Sequence, residues 1–406
     1  METIVIIGGG ASGLVAGITA KTPTNEVIIL EKNTSCGKKI LATGNGHCNY
    51  YNDNQKLTNY HSTNNDLIKK LITEDNLTSV RDFFTSLGII PKIKNGYYYP
   101  TSNQASSIRN ALLEKALSKK VTIKTNFLVI EIFKKDKFYI RSTDETIIAD
   151  KLIIATGGTA APKTGSDGAG YSFAKEFGHT IIKPLPALVQ LKATLPFAKE
   201  VSGVRTDVNL TLYEDTEKVK EESGELQMTD YGLSGICIFN LSSLISRGLD
   251  EGKKELISID FLPFISDKKT WLKERSITYA DEKVSNDLEK VLNYKLVTAL
   301  LKNCHLKESI TYKELTLLEK GILLSNLCNF KVQITGTNTF YEAQTVTGGI
   351  PLTEVNLETM ESLKCQNLYI TGELLDIDGI CGGYNLTVAW LTGLLAGKNI
   401  KDDKNA

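Results

Sequence analysis

The 406-residue chain is poor in several things, and each shortage excludes something. It has seven cysteines (36, 48, 237, 304, 328, 365 and 381), scattered, odd in number and without a C-x-x-C pair. That spacing speaks against a zinc site and a redox-active disulfide, so no metal is expected, and it fits a reducing compartment, so the cytoplasm is the expected location. No excess of charge of either sign exists: Lys+Arg and Asp+Glu are 47 each, leaving no global field to draw nucleic acid or an anionic membrane. Neither partner is expected. No apolar run approaches the length of a membrane-spanning helix. The N-terminus lacks the basic start of a signal peptide. What remains is an ordinary globular composition, 41% hydrophobic and 23% charged, in a chain long enough for two or three compact units.

What is present is concentrated in the first thirty-two residues. Thr3-Ile4-Val5-Ile6-Ile7 is a short β-branched strand, followed by Gly8-Gly9-Gly10-Ala11-Ser12-Gly13, a helix from Leu14 to Ala20, and a second strand, Val27-Ile28-Ile29-Leu30, ending on Glu31. Strand, glycine turn, helix, strand and acid together form the dinucleotide fingerprint. Gly8 allows the tight turn, Gly10 lets the backbone approach a pyrophosphate, and Gly13 lets the helix lie close to the sheet. The free N–H groups of Ala11 and Ser12 at the helix N-terminus face the phosphates. Glu31, eighteen residues after Gly13, reaches the ribose hydroxyls and disfavours a 2′-phosphate, so FAD or NAD fits better than NADP.

The loop 33–49 reads as a strip along the dinucleotide, with Lys32, Lys38 or Lys39 near phosphate or ribose and Thr43 to Asn49 near the reactive ring. Lys151 to Ile154 is a buried strand ending on Ala155-Thr156-Gly157-Gly158, where ligands of an open α/β sheet sit. Gly165-Ser166-Asp167-Gly168 has no strand before it, and no second strand-anchored G-x-G-x-x-G exists. A nicotinamide, if one reacts, must therefore visit the flavin transiently. Late in the chain an apolar strand ends on Thr371-Gly372-Glu373, whose acid meets ribityl or pyrophosphate oxygens. Asp378-Gly379 then leads to Gly382-Gly383-Tyr384-Asn385-Leu386. That last segment opens a helix able to stabilise negative charge on a reduced flavin. A plain NAD dehydrogenase needs no such element, so the cofactor is FAD.

Between these ends, helices are expected over 64–90 and Ser106 to Ser118. Strands are expected at 121–123, 127–132, 137–141 and 146–149, and the tyrosines of 97–99 read as aromatic strand packing, with the lining of a substrate pocket as the alternative. After Pro184-Leu185-Pro186, alternating runs at 188–194, 208–213, 225–229 and 256–261 suggest a small antiparallel barrel. Helices near 281–292, 294–303 and 313–327 follow.

The motifs Gly37-Lys38-Lys39, Thr43-Gly44-Asn45-Gly46-His47-Cys48-Asn49, Ala155 to Gly158 and Met228 to Gly235 resemble those of the BaiN-like flavoproteins, a family that includes aminoacetone oxidase-like enzymes. Asn45 stands for a usual glycine, His47 for a usual arginine and Asp230 for a usual histidine. The resemblance implies an α/β protein with a Rossmann-like, glutathione-reductase-like FAD-binding domain (1–187 and 341–406). It also implies an inserted β-barrel domain (188–265 and 329–340) and a nested helical domain (266–328). It further implies that Gly44, Gly46, Cys48 and the backbone near Val129 touch FAD. It implies that small molecules are the substrates, either amines oxidised by O2 or conjugated enones reduced with NAD(P)H. Ring-side candidates are Asn49, His47, Lys163 and Cys381. An FAD-dependent RNA-modifying protein and a non-catalytic flavin redox sensor are the alternatives. The oligomeric state is not legible.

Overall fold

The computed structural model describes residues 1–400. The chain divides into two compact units, residues 1–185 with 344–400, and residues 186–343.

The first unit is built on a five-stranded parallel sheet. Its order is Leu368–Ile370, Lys151–Ile154, Glu2–Ile7, Asn25–Leu30, Thr122–Lys124. Ile4, Val5 and Ile6 are fully buried, as a parallel strand covered on both faces must be. The helices Ala11–Ala20 and Tyr384–Asn399, from opposite ends of the chain, lie against each other. Their approach depends on missing side chains: a Cβ on Gly393 would stand 2.5 Å from the Ser12 carbonyl oxygen, and one on Gly397 2.6 Å from that of Ala16. Trp390, fully buried on the last helix, donates its indole N–H to the Tyr50 carbonyl at 3.0 Å. Small two- and three-stranded sheets complete the unit, and two of them are three-stranded and antiparallel. One is the 131–149 meander; the other has the order Tyr51–Asn52, Tyr97–Pro100, Pro91–Lys94.

In the second unit six strands close a barrel. Its order is Leu191–Thr194, Gly232–Ser234, Glu217–Met228, Arg205–Glu214, Glu255–Asp260, Phe330–Thr337. The helices Lys268–Thr278, Val284–Leu288, Tyr294–Asn303 and Leu317–Cys328 share one hydrophobic core with it, in which Leu272, Leu300 and Leu323 join Ile257 and Ile259. Among them Asp287 is fully buried and accepts hydrogen bonds from the Arg275 guanidinium, from Tyr312 at 2.9 Å and from Lys290 at 3.3 Å. Burial alone would raise its carboxyl, but Arg275 and Tyr312 hold it below the usual carboxylate range. A depressed carboxyl contributes stability above its unfolded pKa of about 3.9 and loses it as pH falls below that. Asp287→Asn, which leaves the partly buried Arg275 without its carboxylate, should therefore cost about 3 kcal/mol at pH 7. The gap should narrow in urea melts repeated below about pH 4.

The structure departs from the expected elements in a few places. The single helix expected over 64–90 is two, Asn65–Leu71 and Glu74–Ser86, because the Thr73 hydroxyl accepts the Asn76 N–H at 3.3 Å and starts a new helix. Of the strand expected at 127–132 only Glu131–Lys134 forms, and 127–130 are left without strand pairing. The expected helix 281–292 shrinks to Val284–Leu288. Lys268–Thr278 was not foreseen, though Asp267, which accepts the Thr270 N–H at 3.0 Å, is its capping signal.

Candidate FAD site

Ile7, Leu30 and Ala155, at or just past the carboxyl ends of three adjacent sheet strands, open on one cleft enclosing about 1280 Å³ of empty space, part of it continuous with solvent. The glycine turn forms its floor. Gly8, at φ +105°, runs so close to the neighbouring strand that a Cβ would stand 2.4 Å from the Ala155 carbonyl oxygen. A Cβ on Gly13 would stand 1.9 Å from the Gly8 oxygen, whereas one on Gly10 meets nothing within 4 Å. Gly10 therefore keeps open space that is not needed by the protein itself. Gly10, Ala11 and Ser12 line the cleft, so the first turn of the ten-residue helix presents its N–H groups to it.

Glu31, buried in the cleft wall, is held from both sides. Gly9 donates its N–H to Oε2 at 2.9 Å, and Asn33 donates its backbone N–H at 2.8 Å and its Nδ2 at 2.7 Å to Oε1. Cys36 lies against Gly9, and burial and the Glu31 charge push its thiol up to about 12. The cations of this strip are all engaged. Lys32 pairs with Asp167 at 2.5 Å, Lys38 donates to Asn33 Oδ1 at 3.1 Å, and Lys39 meets Glu373 at 2.6 Å. Glu373 also accepts from the Thr345 hydroxyl and the Val346 N–H, both at 3.2 Å. The acid of the late motif thus faces the cleft already neutralised by a lysine of the early loop. Thr43, Val129, Thr156, Gly157, Gly372 and Glu373 line the same cleft.

At the other end the first turn of the sixteen-residue last helix contributes Asn385 and Leu386 to the wall. Gly383, at φ +94°, caps that helix. The Asn385 side chain closes a two-bond clasp on Gly379, accepting its N–H at 2.9 Å and donating to its carbonyl at 2.7 Å. Tyr384 points elsewhere: its hydroxyl donates to the Asn54 carbonyl at 2.9 Å, and burial pushes it up to about 12. Asp378 is buried 3.5 Å from His61 Nδ1, its partner across a two-stranded bridge.

Gly13, Gly44, Gly46, Cys48, Asp378, Gly379, Gly383 and Tyr384 do not line the cleft; they shape the segments that do. Gly44, Asn45, Gly46 and Cys48 all adopt left-handed backbone, at φ +54°, +52°, +86° and +53°. Asn45 can stand where relatives carry glycine because asparagine tolerates that region. Cys48 is buried, its thiol pushed up to about 11 by burial.

None of the four ring-side candidates lines the cleft. Asn49 comes nearest to that role: its Oδ1 is buried without a hydrogen-bond partner and lies 3.1 Å from where a Gly383 Cβ would be. His47 is exposed and bonds the Asn103 carbonyl at 2.8 Å; Lys163 is exposed on the turn Pro162–Thr164; Cys381 is half-buried. Residues not foreseen as contacts include Phe127, Thr164 to Asp167, Thr345 and Ile377. The G-S-D-G stretch was a usable signal there, since Gly165 at φ +109° marks a wall segment of the same cleft.

The residues present fit an FAD. The cleft has an open glycine floor, a fixed ribose-side carboxylate and two helix N-termini along its length. Among the described residues no cluster of three or more His, Cys, Asp or Glu is placed to hold a metal ion, and no helix is long and apolar enough to cross a membrane.

The family comparison agrees with the Rossmann-type sheet of the first unit. The chain is 39% identical over 98% of both lengths to a 3-dehydro-bile acid delta(4,6)-reductase of Clostridium scindens. It is 28% identical to the ribosomal RNA dihydrouridine synthase of Escherichia coli, over 95% of this chain and 94% of that protein. Among solved structures, a 3-ketosteroid-delta4-(5alpha)-dehydrogenase from Rhodococcus jostii aligns with 99% of this chain and 97% of its own, at 12% identity and a TM-score of 0.47. The model of the HI0933-like protein Rossmann domain matches residues 2–399, and the chain belongs to that family.

Proposed function

We propose that this protein reduces a carbon–carbon double bond conjugated to a carbonyl in a small-molecule substrate, with NADH or NADPH as the electron donor. At the coarser level the chain is an FAD-dependent oxidoreductase. The observation that carries the finer reading is the 39% identity, over 98% of both chains, to a reductase of an oxidised bile acid. The site supports it. FAD, when bound, supplies hydride transfer at its N5 atom. The chain's own residues do the rest: Glu31 takes the ribose hydroxyls, and the N–H groups at Ala11 and Ser12 take the pyrophosphate. The first turn of the last helix, at Asn385 and Leu386, directs its positive end into the cleft, where electron-rich ring atoms are stabilised. Asn49 is assigned to the ring side through its unpaired Oδ1; His47, Lys163 and Cys381 are the other candidates.

A second reading rests on the 28% identity to a ribosomal RNA dihydrouridine synthase. Forming dihydrouridine also saturates a double bond conjugated to a carbonyl, so the chemistry is shared and the size of the substrate differs. The balanced charge of this chain, 47 cations against 47 anions, favours the small molecule.

The test is the visible spectrum of anaerobic holoenzyme. NADH or NADPH should bleach the flavin band within seconds, and a 3-oxo-Δ4 steroid added afterwards should restore it while itself losing the double bond. A band that stays oxidised with both nicotinamides, yet bleaches with a small primary amine, would replace the reductase reading with an oxidase.

A further inference from the structure

The hairpin Pro91–Lys94 and Tyr97–Pro100 has no role in holding the cofactor, yet it is unusually dressed. It turns on Asn95-Gly96, both at positive φ (+53° and +81°), as a two-residue hairpin turn requires. Its register pairs Lys94 with Tyr97 and Lys92 with Tyr99, and the third strand pairs Asn52 with Tyr97. Residues directly opposite in a ladder share a face. One face therefore carries Asn52, Tyr97, Lys94, Tyr99 and Lys92. The other carries Tyr51, Tyr98 and Ile93, where Tyr51 and Tyr98 meet edge to face at 5.2 Å.

The first face is turned toward the loop before the last helix. Asn52 Nδ2 donates to the Gly382 carbonyl at 2.9 Å, and Tyr97 Cε1 lies 2.7 Å from where a Gly382 Cβ would stand. Two residues further on, that loop becomes the helix whose first turn lines the FAD cleft. From this anchored end the face runs outward into solvent. Tyr97 and Tyr99 lie close enough for Tyr97 to help burial push the Tyr99 hydroxyl up. Lys92 and Lys94 are exposed, and neither has an acidic partner among the described residues. Of the carboxylates next to the sheet, Asp53 is engaged with Tyr98 on the opposite face and Glu74 is paired with Arg81 at 2.7 Å.

Two aromatic rings in a row with two unpaired cations beside them make a surface for a particular kind of molecule. The rings offer flat apolar area at low entropic cost. Lysines two residues apart on one strand face sit about 6.5 Å from each other, close enough to share a single anionic group. A nucleic acid would need a row of such cations along its phosphates. We infer that the Tyr97–Tyr99 and Lys92–Lys94 face anchors the substrate, taking a flat, largely apolar molecule whose end remote from the reducible bond carries a carboxylate. This rests on the enone-reductase reading and adds the substrate class.

The experiment compares a 3-oxo-Δ4 steroid acid with its methyl ester in the holoenzyme. Wild type should prefer the acid in kcat/KM, chiefly through KM, and the preference should shrink as salt is raised. In K92Q/K94Q the acid-to-ester ratio should fall roughly fivefold, and K92R/K94R should keep it. An unaltered ratio in K92Q/K94Q, with both compounds still reduced, overturns the surface while leaving the reductase reading intact. Neither compound being reduced nor perturbing the flavin spectrum overturns that reading and this surface with it. Salt-sensitive retention of a ribosomal RNA fragment by wild type, lost in K92Q/K94Q, would replace the carboxylate with RNA.

Discussion

Gly10→Val is expected to give a folded protein that no longer retains FAD. The substitution strains nothing in the protein itself. Gly10 has φ −82° and ψ −161°, extended backbone that any residue adopts, and its Cβ direction points into open space. That space is the part of the cleft floor next to Ala11 and Ser12, where the helix N–H groups are offered. A valine side chain there keeps a pyrophosphate from reaching them. FAD affinity should fall at least about 100-fold, some 3 kcal/mol. The urea stability of the apoprotein should stay within about 0.5 kcal/mol of wild type. Apoproteins are the proper comparison, because bound cofactor stabilises wild type by mass action. Purified Gly10→Val protein with a full complement of flavin would refute the assignment of this cleft.

Three residues further on, the smallest possible addition should do the opposite. Gly13→Ala places a methyl group 1.9 Å from the Gly8 carbonyl oxygen and 3.3 Å from the Ala155 side chain. The first of these is backbone against backbone, so no side chain can swing away. Either the first helix slides off the sheet or the glycine turn opens. Overpacking of this kind costs about 2–3 kcal/mol, more than the gain in helix propensity from alanine returns. In a unit of this size that lowers Tm by roughly 5–10 °C. Flavin loss should follow from the damaged fold, visible as reduced stability of the apoprotein. An apoprotein as stable as wild type would show that the helix has slack which this geometry denies.

The contrast shows what could be read before the fold was known. Gly8, Gly10 and Gly13 follow a spacing with a mechanical meaning, so their roles are legible from residue order alone, and Glu31 comes with them because its distance is set by one helix and one strand. The partnership of Lys39 with Glu373 was not legible. The two lie 334 positions apart, and each motif alone proposes its charged group as a ligand for the cofactor. Only the fold shows that they neutralise each other in the cleft wall. The Pro91–Pro100 hairpin was half legible, for another reason. Three consecutive tyrosines read first as strand packing and second as a pocket lining, and Tyr98 does pack inward. The alternation that sends Tyr97 and Tyr99 to the other face with two lysines appears only once the register is known.

The meeting of the first and last helices also sets the order in which the molecule is made. The strand Lys151–Ile154 needs Leu368–Ile370 as its neighbour, and the glycine-lined seam between the helices needs Gly393 and Gly397. Roughly 210 residues separate those strands in the chain. At about 5–20 residues per second, a ribosome takes some 10–40 s to cross that gap. The barrel and its helices, contiguous between 186 and 343, can complete their core during this interval. The strand Lys151–Ile154, next to the strand of the glycine turn, waits with its outer apolar edge unpaired. A nascent chain stalled before residue 368 should be held by chaperones and carry no flavin, so cofactor uptake marks the end of synthesis.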